Sequence, residues 1–401
     1  MIAQHYVDML AGKSVIRTIS EWSTARGQEI GYENVFDYSL GNPSVPCPPH
    51  VTETMQRLLA ERDPVALHGY TPTLTLPEVR AAVAQSLNRR FGMDYTADHI
   101  FMTTGAAGAL SHALRCVGVA GQNVITFAPF FSEYRPYVEG AGMTLKVVPP
   151  RCEDFQIDFD AFVPMLDEKT AAVLINTPNN PSGAVYSAET LTRLAETLRE
   201  AGKRFGHRIF LISDEPYREI LFGGAQAPYP ARFYEDTITC YSFSKSLSLP
   251  GERIGYLAAN PRCESAELIV PMCGQISRGT GHNCPSSLMQ LTVAECIDDT
   301  SDLTVYETNM ELIYAELKRL GFSVVKPGGT FYIFPRALEE DAVAFCEKAR
   351  AYDLAFVPGD GFGCPGHFRM AYCIETEKVR RSFAALERFV AEVYGVTPAE
   401  A

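Results

Sequence analysis

The sequence predicts an α/β protein with a mainly parallel central sheet in a large domain and a smaller α+β domain made from both chain ends. Three observations carry this prediction. Short, continuous apolar runs recur through the middle of the chain, as expected for strands buried on both faces. Helix-period segments lie between several of these runs, as parallel crossovers require. The last third changes character, to a mixture of amphipathic helix patterns and short strands. With 401 residues, 46% of them hydrophobic, the chain is long enough for one large core or two.

In chain order, "AGKS" (11–14) reads as a helix start, because it lacks the upstream glycine of a phosphate loop. An amphipathic helix follows near 14–30. It is expected against the smaller domain, which is therefore discontinuous: residues 1–47 and 291–401, around a large domain at 48–290. "HIFMTT" (99–104) is a strand that leads into the helical "GAAGALSHALRCV". "NVITFAP" (123–129), "AAVLINTP" (171–178), "RIFLISDEPY" (208–217), "TITCYSFSK" (237–245) and "RIGYLAAN" (253–260) are the further strands. "SAETLTRLAETLREAGKRFG" (187–206) has helical spacing. A long amphipathic stretch runs from about 286 to 320, and "FSVVKPGGTFYIFP" after it reads as paired strands. "DAVAFCEKARAY", "LAFVPGDGF" and "HFRMAYC" continue the α+β pattern to a final helix at about 376–395.

A formal net charge of −13 argues against a nucleic-acid backbone or an anionic membrane as partner. No apolar run approaches the length that spans a bilayer, and the start lacks the order of a signal peptide. Eleven scattered cysteines, with no C-x-x-C pair, point to reduced thiols in a cytoplasm. The eight histidines show no paired spacing with them, so no metal site is expected. "GFGCPG" (361–366) matches G-x-G-x-x-G in letters only, because a proline interrupts it and a strand pattern follows where a helix is required. Cys240 and Cys284 have no His or Asp constellation that would make either a thiol nucleophile.

In an open parallel sheet, reactive groups collect at the carboxyl ends of the strands. Three polar clusters fall there: "NTPNNPSG" (176–183), "SDEPY" (213–217) and "SFSK" (242–245). A fourth, "TTGAAGAL" (103–110), is a strand–turn–helix junction whose free N–H groups suit a phosphate. Taken alone, a Ser-x-Ser-Lys is an ordinary solvated turn and a lone strand arginine is an ordinary ion-pair residue. In this order, with "GERIG" after the lysine and the late arginine of "HFRMAY", the chain resembles the fold-type-I pyridoxal-phosphate enzymes. Within them it resembles the class I/II aminotransferases related to aspartate aminotransferase, from about Leu40 to the C-terminal helix.

The resemblance implies pyridoxal 5′-phosphate as cofactor, held in the large domain, and Lys245 as the lysine that bonds to its aldehyde. Asp214 then pairs with the ring nitrogen, Tyr217 and Asn180 bond the phenolic oxygen, and Phe131 stacks on the ring. The phosphate falls to Gly105, Ala106 and Ala107, to Ser242 and Ser244, and to Arg253. Tyr70 matches a tyrosine that reaches the neighbouring subunit's phosphate, which implies a homodimer. His282 and Asn283 lie where relatives bring partner groups toward the phosphate. Arg369 matches the arginine that grips the substrate α-carboxylate. Gly41 adds a backbone contact to it, although Asn42 stands where the family has a second glycine. Arg278, on the loop near 278–285, lies near the place of an arginine that reads a second carboxylate. The implied reaction moves an amino group between an L-amino acid, aspartate among the candidates, and a 2-oxo acid such as 2-oxoglutarate. A β-lyase, decarboxylase, racemase or oxidase would use the same three residues Lys245, Asp214 and Arg369. A non-catalytic sensor would carry an added DNA-binding domain.

Overall fold

The fold is described from a computed structural model of the chain, which covers residues 15–396 and, before them, residues 2, 4, 7 and 10. The helix start expected at 11–14 lies outside the described residues. The strands are β1 (Phe36–Asp37), β2 (Ile100–Thr103), β3 (Asn123–Phe127), β4 (Thr144–Val148), β5 (Thr170–Asn176), β6 (Phe210–Asp214), β7 (Thr237–Ser242), β8 (Gly255–Ala259), β9 (Tyr332–Ile333), β10 (Leu354–Ala355), β11 (Val357–Pro358) and β12 (Phe368–Ala371). Seven of them form one sheet in the order β2-β8-β7-β6-β5-β3-β4. Strands β4, β3, β5, β6 and β7 run parallel, and β8 runs antiparallel to both β7 and β2.

Local sequence explains most of these elements. Every residue of β2, β3, β5, β7 and β8 is buried, which matches their unbroken apolar or small-residue runs. The helix Ala188–Phe205 opens where the Ser187 side chain accepts from Thr190 N, and it stops at Gly206 with φ +74. Its Leu191, Leu194, Ala195 and Leu198 bury against Val173, Ile175 and Leu211 on one face of the sheet. The helix Gly105–Val117 buries Ala109, Leu110, Ala113 and Leu114 against the other face.

Some expectations change. The connection from β7 to β8 stays at the carboxyl edge in the short helix Phe243–Ser246 and a 3₁₀ turn at Pro250–Glu252, so β8 returns antiparallel. β4 has no counterpart in the sequence reading, because as an edge strand it alternates burial unevenly and reads as mixed polar and apolar. The stretch 286–320 is two helices, Ser287–Glu295 and Thr304–Arg319, divided by the polar "DDTSDL". The first packs on helices Pro49–Glu61 and Pro77–Phe91, the second on Thr376–Tyr394. Of "FSVVKPGGTFYIFP", only Tyr332–Ile333 is a strand. Its glycines turn instead, with Gly328 and Gly329 both donating to Gly183 O at 3.0 and 3.1 Å.

The three-stranded antiparallel sheet β11-β12-β9 and the parallel pair β1-β10 stand apart from the main sheet. Their shared core holds Tyr306, Phe331, Phe345, Phe356, Phe368 and Phe389. The helix Val15–Ile30 packs against β10 and β11. Arg369 on β12 thus faces the carboxyl edge of the seven-stranded sheet, from which its partner Asn180 comes.

Candidate active site

Register brings the polar strand ends together. Asn176 pairs with Asp214, Asp214 with Cys240, and Ser242 with Gly255, while Thr103 on β2 pairs with Gly255 from the other side. A cavity of about 330 Å³ opens at this edge. Its lining includes Gly41, Ala106, Ala107, Phe131, Asn180, Asp214, Tyr217, Ser242, Ser244, Lys245, Arg253 and Arg369.

One end of the cavity is an anion cradle. The helix Gly105–Val117 starts there, with its unpaired N–H groups and positive dipole end. Gly105 has φ +73, and a Cβ at that position would stand 3.2 Å from the Arg253 guanidinium and 3.4 Å from Ser242 Oγ. Ser242 Oγ lies 2.8 Å from Ser244 Oγ. Arg253 Nη1 donates to Pro250 O at 2.8 Å, which turns the fork toward the cradle. His282 Nε2 lies 2.6 Å from Thr104 Oγ1, so this histidine braces the first turn of its own chain's helix.

The centre of the cavity holds a lysine and a carboxylate. Lys245 sits in the short helix that follows β7, and its Nζ donates to Gly41 O at 2.6 Å. Burial, with Arg369 and Arg253 nearby, lowers its pKa to about 8. Asp214 ends β6. Its Oδ2 accepts from the Tyr134 hydroxyl at 2.6 Å, and Oδ1 is buried with no partner. Burial raises this carboxyl to about 7, partly offset by the Tyr134 hydrogen bond. Asn176 braces both neighbours: its Nδ2 donates to Asp214 O at 2.8 Å and its Oδ1 accepts from Asn180 N at 2.7 Å.

The far wall is aromatic and cationic. Arg369 Nη1 donates to Asn180 Oδ1 at 3.1 Å and Nη2 to Ser39 O at 2.5 Å, while Nε is buried without a partner. Its guanidinium lies over the rings of Tyr332 and Phe362, 4.6 and 5.0 Å from their centroids. Tyr332 and Tyr217 share a hydrogen bond at 3.2 Å, and burial raises both phenols. Gly41 is confined from two sides, because a Cβ there would meet Tyr332 Oη at 1.8 Å.

Two expected residues stand elsewhere. Tyr70 is fully exposed and does not line this chain's cavity. Arg278 lies in the last turn of the helix Ala266–Thr280, exposed, and not on a loop; the buried row Ile269, Val270, Cys273, Gly274 and Ser277 carries that helix through to Gly281. The sequence reading missed Tyr134, Asn176 and Tyr332. Asn176 and Tyr332 fall inside the quoted stretches, but nothing local distinguishes a bracing asparagine or tyrosine from a core one.

These residues fit pyridoxal phosphate. An unpaired buried carboxylate oxygen calls for a donor, which a protonated pyridine supplies. The cradle of helix terminus, two hydroxyls and guanidinium suits a phosphate, and the amine of reduced basicity suits an aldehyde.

Residues 33–386 match the family described as aminotransferase class I and II. An aminotransferase structure from Eubacterium rectale is 42% identical with a TM-score of 0.95, covering 98% of this chain and 99% of that one. The aspartate aminotransferase of Thermus thermophilus with maleate is 25% identical with a TM-score of 0.84, covering 94% and 96%. A probable aspartate/prephenate aminotransferase of Aquifex aeolicus is 30% identical, covering 92% of this chain and 95% of its own length. With a cavity fitted to that cofactor and a family match over most of its length, this chain belongs to the class I and II aminotransferases and is a pyridoxal-phosphate-dependent transaminase.

Proposed function

We propose that the enzyme moves an amino group from an L-amino acid, with aspartate the leading donor, to a 2-oxo acid such as 2-oxoglutarate, in two half-reactions through one cavity. The observation that supports the residue roles is the convergence of Lys245, Asp214 and Arg369 on one cavity. When bound, the cofactor supplies an electron sink that stabilises negative charge at the substrate Cα. Lys245 Nζ, of lowered basicity, is the base that holds and returns the Cα proton. Asp214 Oδ1 is the buried acceptor for the ring nitrogen, and Tyr134 and Asn176 hold it in place. Asn180 Oδ1 is taken by Arg369, which leaves its Nδ2, with the Tyr217 hydroxyl, for the phenolic oxygen. Arg369 grips the α-carboxylate and orients Cα. Ala106 and Ala107 N–H, Ser242, Ser244 and Arg253 hold the phosphate, and Phe131 covers the ring face.

Relatives named as aspartate aminotransferases, one of them with the dicarboxylate maleate, support an acidic donor. Among the described residues, the cations lining the main cavity are Lys245, Arg253 and Arg369, so a second carboxylate needs another. Two are at hand. Arg17 lines an adjoining cleft that shares Ile16 and Phe131 with the cavity. Arg278 is the candidate from a second copy of the chain. A homodimer is part of this reading, supported by the full exposure of Tyr70. A cytoplasmic site is supported by eleven free cysteines. The border expected at 290 falls inside the helix Ser287–Glu295, which packs on the large domain's helices, so the large domain is proposed as residues 48–295.

The test is a panel of amino donors with 2-oxoglutarate, read by glutamate formation. Aspartate should lead the panel in kcat/KM. A panel led by an uncharged donor would exclude the acidic-donor reading.

A further inference from the structure

Outside the cavity, Cys152, Cys364 and His367 converge, with their sulfur and nitrogen atoms all within 4.8 Å of one another. The sequence reading expected no metal-ligating set. Cys364 and His367 do stand in C-x-x-H order, and Cys152 joins them only through the fold, from the loop after β4. Cys364 Sγ lies 3.4 Å from His367 Nδ1, and the Cys152 thiol is within hydrogen-bonding reach of Cys364. Zinc–sulfur and zinc–nitrogen bonds of about 2.3 and 2.0 Å place tetrahedral S and N ligands roughly 3.6 Å apart. The observed spacing is close to that before any metal arrives.

The cluster is held firmly. Cys364 and His367 are buried, and the imidazole stacks on Phe334 with centroids 5.3 Å apart and meets Phe155 edge-on at 5.9 Å. Phe155 sits at φ +55, and its N–H donates to Arg151 O at 2.8 Å, so the loop bearing Cys152 is a fixed turn. Cys152 itself is exposed, which leaves an access path and room for a solvent ligand. Two thiols and an imidazole are soft donors, suited to zinc and not to magnesium or calcium.

We propose that Cys152, Cys364 and His367 form a zinc-type metal site whose fourth position is open to solvent. Binding exchanges the two thiol protons for one divalent ion, without redox change. The ion would tie the loop after β4 to the turn before β12. His367 stands immediately before β12, two residues from Arg369, and Phe362, in the preceding turn, lies under the Arg369 guanidinium. A metal here therefore restrains the segment that carries the substrate-gripping arginine.

The test uses the purified holoenzyme with its thiols reduced, titrated with Zn²⁺ against a chromogenic chelator, with bound metal counted by elemental mass spectrometry. The wild type should bind one Zn²⁺ per chain that Cys152→Ser binds at least about tenfold more weakly, since even loss of an outer partner costs that much. Cys152 is exposed, and cofactor absorbance checks that the variant folds. His50, Cys296 and Asp299 form a second cluster, so His50→Gln is the control and should leave this Zn²⁺ in place. Equal binding by the wild type and Cys152→Ser would overturn the proposal. So would a wild type that binds no zinc, including one that only closes a Cys152–Cys364 disulfide, seen as the loss of two hydrogens in the intact mass.

Discussion

Tyr134 donates its phenolic hydrogen to Asp214 Oδ2 across 2.6 Å, and Oδ1 of the same carboxylate is left buried and unpaired. In the proposed reading, the pair leaves Oδ1 as the oxygen for the ring nitrogen. It also works against burial, because the hydrogen bond favours the ionised carboxylate. Removing a hydrogen bond to a charged group costs about 1.5–3 kcal/mol, or roughly one to two pH units. In Tyr134→Phe the Asp214 carboxyl loses that support and therefore ionises at higher pH than in the wild type. The acid limb of the kcat profile should move up by about one unit or more, with turnover recovering as pH rises. An acid limb that stays in place, with cofactor retained, would show Tyr134 to be packing alone.

Lys245 should carry the covalent link to the cofactor. Borohydride reduction of the holoenzyme, followed by peptide mapping, should label Lys245, and Lys245→Ala should fold without taking the label. With a pKa of about 8, the free amine grows as pH rises toward that value. Cofactor capture by the apoenzyme should then accelerate about tenfold per pH unit below it and level off above, measured by stopped-flow absorbance. A label on another lysine counts against the assignment.

Arg369→Ala should lower kcat/KM for amino donors about 10- to 100-fold, as expected for loss of a charge-assisted pair. The phosphate cradle does not include Arg369, so cofactor content should hold. Arg369→Lys should restore little, because a lysine cannot reproduce the planar fork that bridges Asn180 and Ser39. Full activity in the lysine variant would mean that charge alone suffices.

Arg278→Ala and Arg17→Ala separate the two sources of a second cation. The variant that removes the distal-carboxylate contact should lose about 2–3 kcal/mol in kcat/KM for aspartate and spare alanine. Equal losses for charged and neutral donors would assign that arginine to holding structure. No loss in either variant would remove both from the substrate pocket.

Much of the site was legible because its residues sit at ends of elements that declare themselves locally. Asp214 and Ser242 end buried strands and Gly105 closely follows one, and a buried strand releases its polar residues at its end. The helical position of Arg278 was not legible, because the buried row carries that helix one turn further than the glycine-rich sequence suggests. The convergence of Cys152, Cys364 and His367 was not legible, because only one of its pairs is close in sequence.

The sequence by itself determined most of the buried strands and the helices that alternate with them, and it set Lys245 and Asp214 at strand ends. Apolar periodicity and strand-end polarity are local properties, and a window of a few residues contains them. Only the tertiary structure decided that β8 runs antiparallel and that Arg369 bonds Asn180 and Ser39 from the far end of the chain. The same holds for the choice of Tyr134 to brace Asp214 and for the approach of Cys152 to Cys364 and His367. Each of these depends on the packing of segments distant in sequence, whose mutual position no local pattern encodes.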